Sequence, residues 1–103
     1  MNKSLATENP LDLTVRFIGG APIDEVVHWV KACAKSHAAF GELTVTLEKK
    51  PGVHAKKVYE VRLERPDRVL LTERDPNVML AVRNAFDRWA ITPERMARPR
   101  AKA

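Results

Sequence analysis

The sequence predicts an α+β fold, a two-layer sandwich in the order β-α-β-β-β-α, with a four-stranded, mostly antiparallel sheet carrying two helices on one face. Three observations predict it. Four short segments alternate apolar and polar residues with a period of two; two segments space their apolar residues by three and four; and the last three strands follow one another through short connections, as in an antiparallel meander.

Residues 1 to 10 are polar, lack periodicity and end at Pro10, so a frayed start is expected. In LDLTVRF, Leu11, Leu13, Val15 and Phe17 point one way and Asp12, Thr14 and Arg16 the other, the pattern of a half-buried strand that Gly19 and Gly20 end. Pro22 suits a first helical turn, and Asp24 and Glu25 complement its positive dipole. Ile23, Val27, Val30 and Ala34 form the expected buried stripe of this helix, flanked by Val26, Cys33 and His37. Gly41 is placed to supply a left-handed cap.

LTVTLEKK (43 to 50) turns Leu43, Val45 and Leu47 inward. VYEVRLE turns Tyr59, Val61 and Leu63 inward and Glu60, Arg62 and Glu64 outward, and the turn Pro66-Asp67 leads into RVLLTER. Asp75-Pro76 reads as an N-cap followed by proline at the first helical position. Val78, Val82, Ala85, Phe86 and Trp89 then line one side of the second helix, and Pro93 ends or kinks it.

A chain of 103 residues has room for one domain, placed at residues 1 to 96 and followed by a basic, flexible tail at 97 to 103. Apolar residues at 45% and charged residues at 30% describe a soluble globular protein. No apolar run is long enough to span a bilayer, and the N-terminus lacks the apolar stretch of a signal peptide, so a cytoplasmic location is expected. The net charge is +5, yet four of the 18 basic residues (Arg95, Arg98, Arg100 and Lys102) fall in the last nine positions. The body is therefore nearly neutral, and any anion-binding surface must come from local segregation of charge and from the tail. Cys33 is the only cysteine, which excludes an internal disulfide; in an apolar helical stretch it reads as a small buried thiol.

Little in the chain points to catalysis. His28, His37 and His54 share no metal-ligand spacing with acidic residues; His28 with Asp24 reads as a solvated helix face, and His37 as a partly buried core residue. No GxSxG, GxxxxGK[ST], HExxH or GxGxxG occurs, and the carboxylates fall on outward positions beside opposite charges. The expectation is a non-enzymatic protein with no cofactor and no metal site.

Basic clusters remain. Lys49, Lys50, Lys56 and Lys57 flank one Pro-Gly loop, Lys31 and Lys35 are like charges one helical turn apart, and Arg83 and Arg88 flank the core stripe of the second helix. Each pair alone also reads as an ordinary solvated flank. Together with the tail they form the usual footprint of phosphate-backbone binding. Phe17, Tyr59, Phe86 and Trp89 fall on inward faces, so a sheet that stacks bases is not expected, nor is a KH module without a GxxG loop.

The stretch KKVYEVRLERPDRVLLTERDPNVMLAVRNAFDRW, residues 56 to 89, places a YEVRL meander before a V..A...AFD helix, and VRFIG with its proline-started helix precedes it. In motif order and spacing, residues 11 to 96 resemble the ribosome hibernation-promoting and ribosome-associated inhibitor family, in a short form. The resemblance implies a protein that lodges in the small ribosomal subunit near the decoding centre, contacts ribosomal RNA and suppresses translation under stress or slow growth. Carried over by position, the RNA-binding residues are Lys31, Lys35, Lys49, Lys50, Lys56, Lys57, Arg83, Arg88 and Arg95. The expected partners are the small subunit and its RNA, with no membrane, no small-molecule cofactor and a monomeric free state. The alternative is a protein-interaction module that uses the sheet edge or the exposed sheet face without binding RNA, favoured by the alternating Glu60, Arg62 and Glu64.

Overall fold

Alternation of apolar and polar side chains produces a first strand, β1 (Leu11–Ile18), and the three-and-four spacing that follows produces a helix, α1 (Asp24–Ser36). Then come β2 (Gly41–Pro51), β3 (Lys57–Arg65), β4 (Arg68–Asp75), α2 (Val78–Trp89) and a single turn, α3 (Pro93–Met96). This computed structural model describes residues 10–52 and 57–96, with side chains up to residue 94. Residues 1–9 of the expected frayed start, His54, Lys56, the side chain of Arg95 and the basic tail lie outside the described residues.

The sheet order is β1-β2-β3-β4. Because a helix carries the chain from β1 to β2, these strands pair in parallel, while the short connections make β2, β3 and β4 antiparallel. Register follows the apolar pattern: Leu13 lies beside Leu43, Val15 beside Val45 and Phe17 beside Leu47, and across the next ladder Val45 meets Leu63 and Leu47 meets Val61. A one-residue slip would turn every one of these side chains to solvent. The predicted α+β sandwich holds, with Val26, Val30, Leu43, Val45, Val61, Leu63, Val82, Phe86 and Trp89 in one core between sheet and helices.

Several local expectations are corrected. The helix begins at Asp24, so Pro22 precedes it, and Ile23 is its extended N-cap residue, 41% exposed. The buried stripe is therefore Val26, Val30, Cys33 and Ala34, with Val27 half-buried beside it. Gly41 does not cap this helix. Ala38, at φ 52, takes the left-handed position, and the N–H groups of Ala38 and Ala39 donate to the carbonyls of Lys35 and Ala34, a Schellman arrangement. Gly41 instead opens β2 at φ 74, where a Cβ would stand 3.0 Å from Nη1 of Arg65.

At α2 the cap is Asn77, whose side-chain oxygen accepts from the N–H groups of Met79 and Leu80. Asp75 is still the last residue of β4, paired with Tyr59, and its carboxylate accepts from the Asn77 N–H at 2.8 Å. The proline and the first cap candidate thus belong to the entry turn. Leu11, expected inward, is exposed at the end of an edge strand, while Glu60, expected outward, is buried, as is Thr46 between the inward Val45 and Leu47.

α3 is held by a clasp that the apolar pattern does not reveal. Arg65 Nε donates to Glu94 at 2.9 Å, its Nη1 donates to the Phe40 and Glu42 carbonyls, and the guanidinium lies 4.8 Å from the Phe40 ring centroid. Trp89 Nε1 donates to the same Glu94 carboxylate at 2.8 Å. Pro93 thus starts a new turn whose glutamate closes over the core.

Candidate nucleic-acid interface

Two contacts set the helices side by side. Trp29 Nε1 donates to the Met79 carbonyl at 2.8 Å, and His37 Nε2 lies 2.9 Å from Asp87 Oδ1; each pair is 50 residues apart in sequence. Equal offsets mean that α1 and α2 run parallel. Between these rungs sits Cys33, buried as expected. Burial first, and then the Asp87 charge, push its thiol up, opposed by Arg83, so little thiolate is available for chemistry. His37 also meets the Phe86 ring and is half-buried, as read from the sequence, while His28 is exposed.

This pairing decides where the candidate cations go. Lys31 and Lys35 are each two positions from Trp29 or Cys33, hence about 200° round the helix from the side that faces α2. They stand exposed on the outer flank of α1. Arg83 is exposed over the groove between the helices, close enough to Cys33 to influence its thiol. Arg88 lies on the other flank of α2, bound to the Glu73 carboxylate and near the Thr72 carbonyl. Lys49 and Lys57 belong to the far end of the β2-β3 hairpin, on the side to which Leu47 and Tyr59 point.

Lys50 lies on the opposite face of the sheet. Its Nζ is 2.9 Å from Glu60, a carboxylate that also receives Arg62 Nη1 at 3.1 Å and Arg74 Nε and Nη2 at 3.1 and 3.0 Å. Arg62 extends the network to Glu48 at 3.1 Å and Glu64 at 3.3 Å, and Thr46 donates to Glu64. Only 5% of Glu60 is exposed. The Lys50 hydrogen bond, helped by Arg74, holds its carboxyl below the ordinary value against the opposing effect of burial. Three acids and three bases therefore neutralise one another across the open face of the sheet.

Of the nine candidate cations, Lys31, Lys35, Lys49, Lys57 and Arg83 make no ion pair with another described residue. All five are on the helix side, in three places rather than one patch. Sequence reasoning counted Lys50 and Arg88 with them because strand alternation and helical spacing do not show which carboxylate a cation meets. It also passed over Arg16, exposed on the open face without such a pair. Among the described residues, no group of three or more His, Cys, Asp or Glu side chains could hold a metal ion. No helix of the described residues is long and apolar enough to cross a membrane.

No protein-family model matches the chain, and no curated protein matches it by sequence. Among solved structures it is similar to the N-terminal domain of Thermus thermophilus Protein Y, with 16% identity and a TM-score of 0.56. The match covers 86% of this chain and 99% of that one. The fold is that of the Protein Y N-terminal domain. Protein Y belongs to the ribosome hibernation-promoting factor family, so the resemblance carried by residues 11 to 96 holds at the level of fold. Nearly the whole Protein Y domain is represented here, and the correspondence therefore takes in both layers of the sandwich.

Proposed function

We propose that the chain is a non-enzymatic, ribosome-associated factor. It binds small-subunit ribosomal RNA near the decoding region through phosphate contacts and suppresses translation under stress or slow growth. It acts in the cytoplasm, as a monomer when free and without a cofactor. The observation that carries this reading is the Protein Y fold over 86% of the chain. The cations left without ion pairs on the helix side support it, since phosphates can take them without breaking the protein's own bridges.

Lys31, Lys35, Lys49, Lys57 and Arg83 are the phosphate contacts of this reading, with Lys56 and Arg95 joining them from outside the described side chains. Arg88 contributes only by exchanging Glu73 for a phosphate, and Lys50 is reassigned to the sheet network. The test is co-sedimentation with purified small subunits over a salt series. Counting the five contacts with described side chains alone, the slope of log affinity against log salt is about −3.5 to −4.5, and Lys56 and Arg95 steepen it further. Lys31→Glu/Lys35→Glu should weaken binding, while a variant ending at Met96 should retain it. Absence of saturable binding at low salt would sink the proposal.

A second reading, docking of a protein on the open sheet face, is favoured by the neutralised network there. Retention on immobilised ribosomal RNA compared with retention on isolated small-subunit proteins separates the two.

A further inference from the structure

The inward aromatics do not share one environment. Phe86 stacks against His37 and Trp89, and Trp89 against Phe40, all within the core. Phe17 and Tyr59 are only half-buried and stack on no other described ring. They lie at the end of the sheet where the β2-β3 hairpin reaches past the first turn of α1, and they open onto a cleft of about 230 Å³. Leu47 forms its floor, Pro22 and Ile23 its helix-side wall, and Lys49 its lip.

The lip is built rather than incidental. Gly19, at φ 82, lies so close to β2 that a Cβ would come within 3.0 Å of the Lys49 carbonyl oxygen, and a Cβ at Gly20 would be 3.9 Å from Lys49 Cδ. The aliphatic stem of Lys49 therefore passes beside the glycine turn, and Lys49 lines the cleft. Lys57 stands one strand pair further out on the same side, and the cleft lining contains no carboxylate.

A mainly apolar cleft lined by two aromatic rings, edged by unshared cations and with no acid in its lining, suits a ligand with an aromatic body and an anionic linkage. The volume falls below the roughly 300 Å³ at which pockets for drug-sized molecules begin, so the slot has room for one ring system. Resting on the RNA-binding reading above, we propose that this cleft receives a single unpaired nucleobase of the RNA. The ring stacks on Tyr59, with Phe17 and Pro22 bounding it, while Lys49 and Lys57 hold the flanking phosphates. Single-stranded and bulged nucleotides are the part of RNA whose bases can be splayed onto aromatic side chains. The cleft would thus select unpaired positions on a surface that otherwise reads phosphate.

The test uses the full chain and two RNA hairpins of equal length, one with a single bulged 2-aminopurine and one fully paired with 2-aminopurine in the stem. Affinity is read by anisotropy and base environment by 2-aminopurine fluorescence. The bulged RNA should bind about tenfold more tightly, since stacking of one base on an aromatic side chain is of that order. Tyr59→Leu should abolish this preference. Ala21→Trp, which fills the mouth from an exposed position, should abolish it as well should Tyr59→Leu fail to fold. Equal affinities with steep salt dependence intact would overturn the cleft assignment, leave phosphate binding standing and assign the slot to an apolar side chain of a protein partner. Binding of free 5′-AMP as tight as that of the bulged RNA would overturn the RNA assignment in favour of a free nucleotide. Failure of both hairpins and of small subunits to bind would remove the cleft proposal together with the reading it rests on.

Discussion

His37 on α1 and Asp87 on α2 stand 50 residues apart in the chain and 2.9 Å apart in space, and Trp29 with Met79 repeats the same offset two turns earlier. Two rungs with one offset lock the helices parallel and in register. The rungs also determine which flanks of α1 and α2 remain for solvent or a ligand, and so separate Lys31 and Lys35 from Arg83.

The rungs differ in strength. Trp29→Phe removes a part-buried donor and leaves the Met79 carbonyl without it, which should cost about 1 kcal/mol. Asp87 is mostly exposed, and Asp87→Asn should cost less, about 0.5 kcal/mol. Urea unfolding would show the larger fall in midpoint for the tryptophan variant with the slope unchanged. The reverse order would mean that the ion pair sets the helix register.

Glu60 anchors the open face. Glu60→Gln keeps the shape but leaves Lys50, Arg62 and Arg74 without their shared anion. A loss of about 1 to 3 kcal/mol is expected, limited because Lys50 and Arg74 can return to water. The Lys50 hydrogen bond, and after it Arg74, lower the folded-state pKa below the ordinary 4.5, so the unfolded chain binds the proton more readily. This stabilisation is present above 4.5 and disappears as pH falls through the lower folded value. Unfolding midpoints measured from pH 7 to pH 3 should fall more steeply in the wild type than in Glu60→Gln over the acid part of that range.

Ala38 holds a left-handed conformation that glycine adopts without steric penalty. Ala38→Gly should stabilise the fold by about 0.5 to 1 kcal/mol, the relief of the Cβ clash outweighing the added freedom of the unfolded chain. Thermal unfolding would show a rise of a few degrees. A fall would mean that the Schellman turn is unstrained with alanine.

Lys31 and Lys50 were indistinguishable as surface lysines, yet they should behave oppositely. Lys31→Gln should lower the magnitude of the salt slope of small-subunit binding by about 0.7 to 0.9, one phosphate contact, without changing stability. Lys50→Gln should leave that slope alone and destabilise the sheet by about 1 kcal/mol through Glu60. An equal loss of RNA affinity in both would return Lys50 to the interface.

Element order, inward strand faces and the α+β class were legible in the sequence, because periods of two and near 3.6 are properties of neighbouring residues along the chain. The half-buried His37 and the buried Cys33 could be read for the same reason. The cap at Asn77 could not, because Asp75-Pro76 and Asn77 satisfy the same local rule and only β4 pairing as far as Asp75 chooses between them. Nor could the partners of Lys50, Arg88 and Arg65, whose carboxylates Glu60, Glu73 and Glu94 are brought to them across strands and helices. The cleft between Phe17 and Tyr59 is also a product of tertiary structure, since it exists only because the hairpin outreaches α1. Sequence by itself therefore determined most of the residues that face the core, Leu11 and Ile23 at element ends excepted. Tertiary structure decided which charges are already spent on one another, because Coulomb energy and hydrogen bonding depend on distances that the fold alone creates.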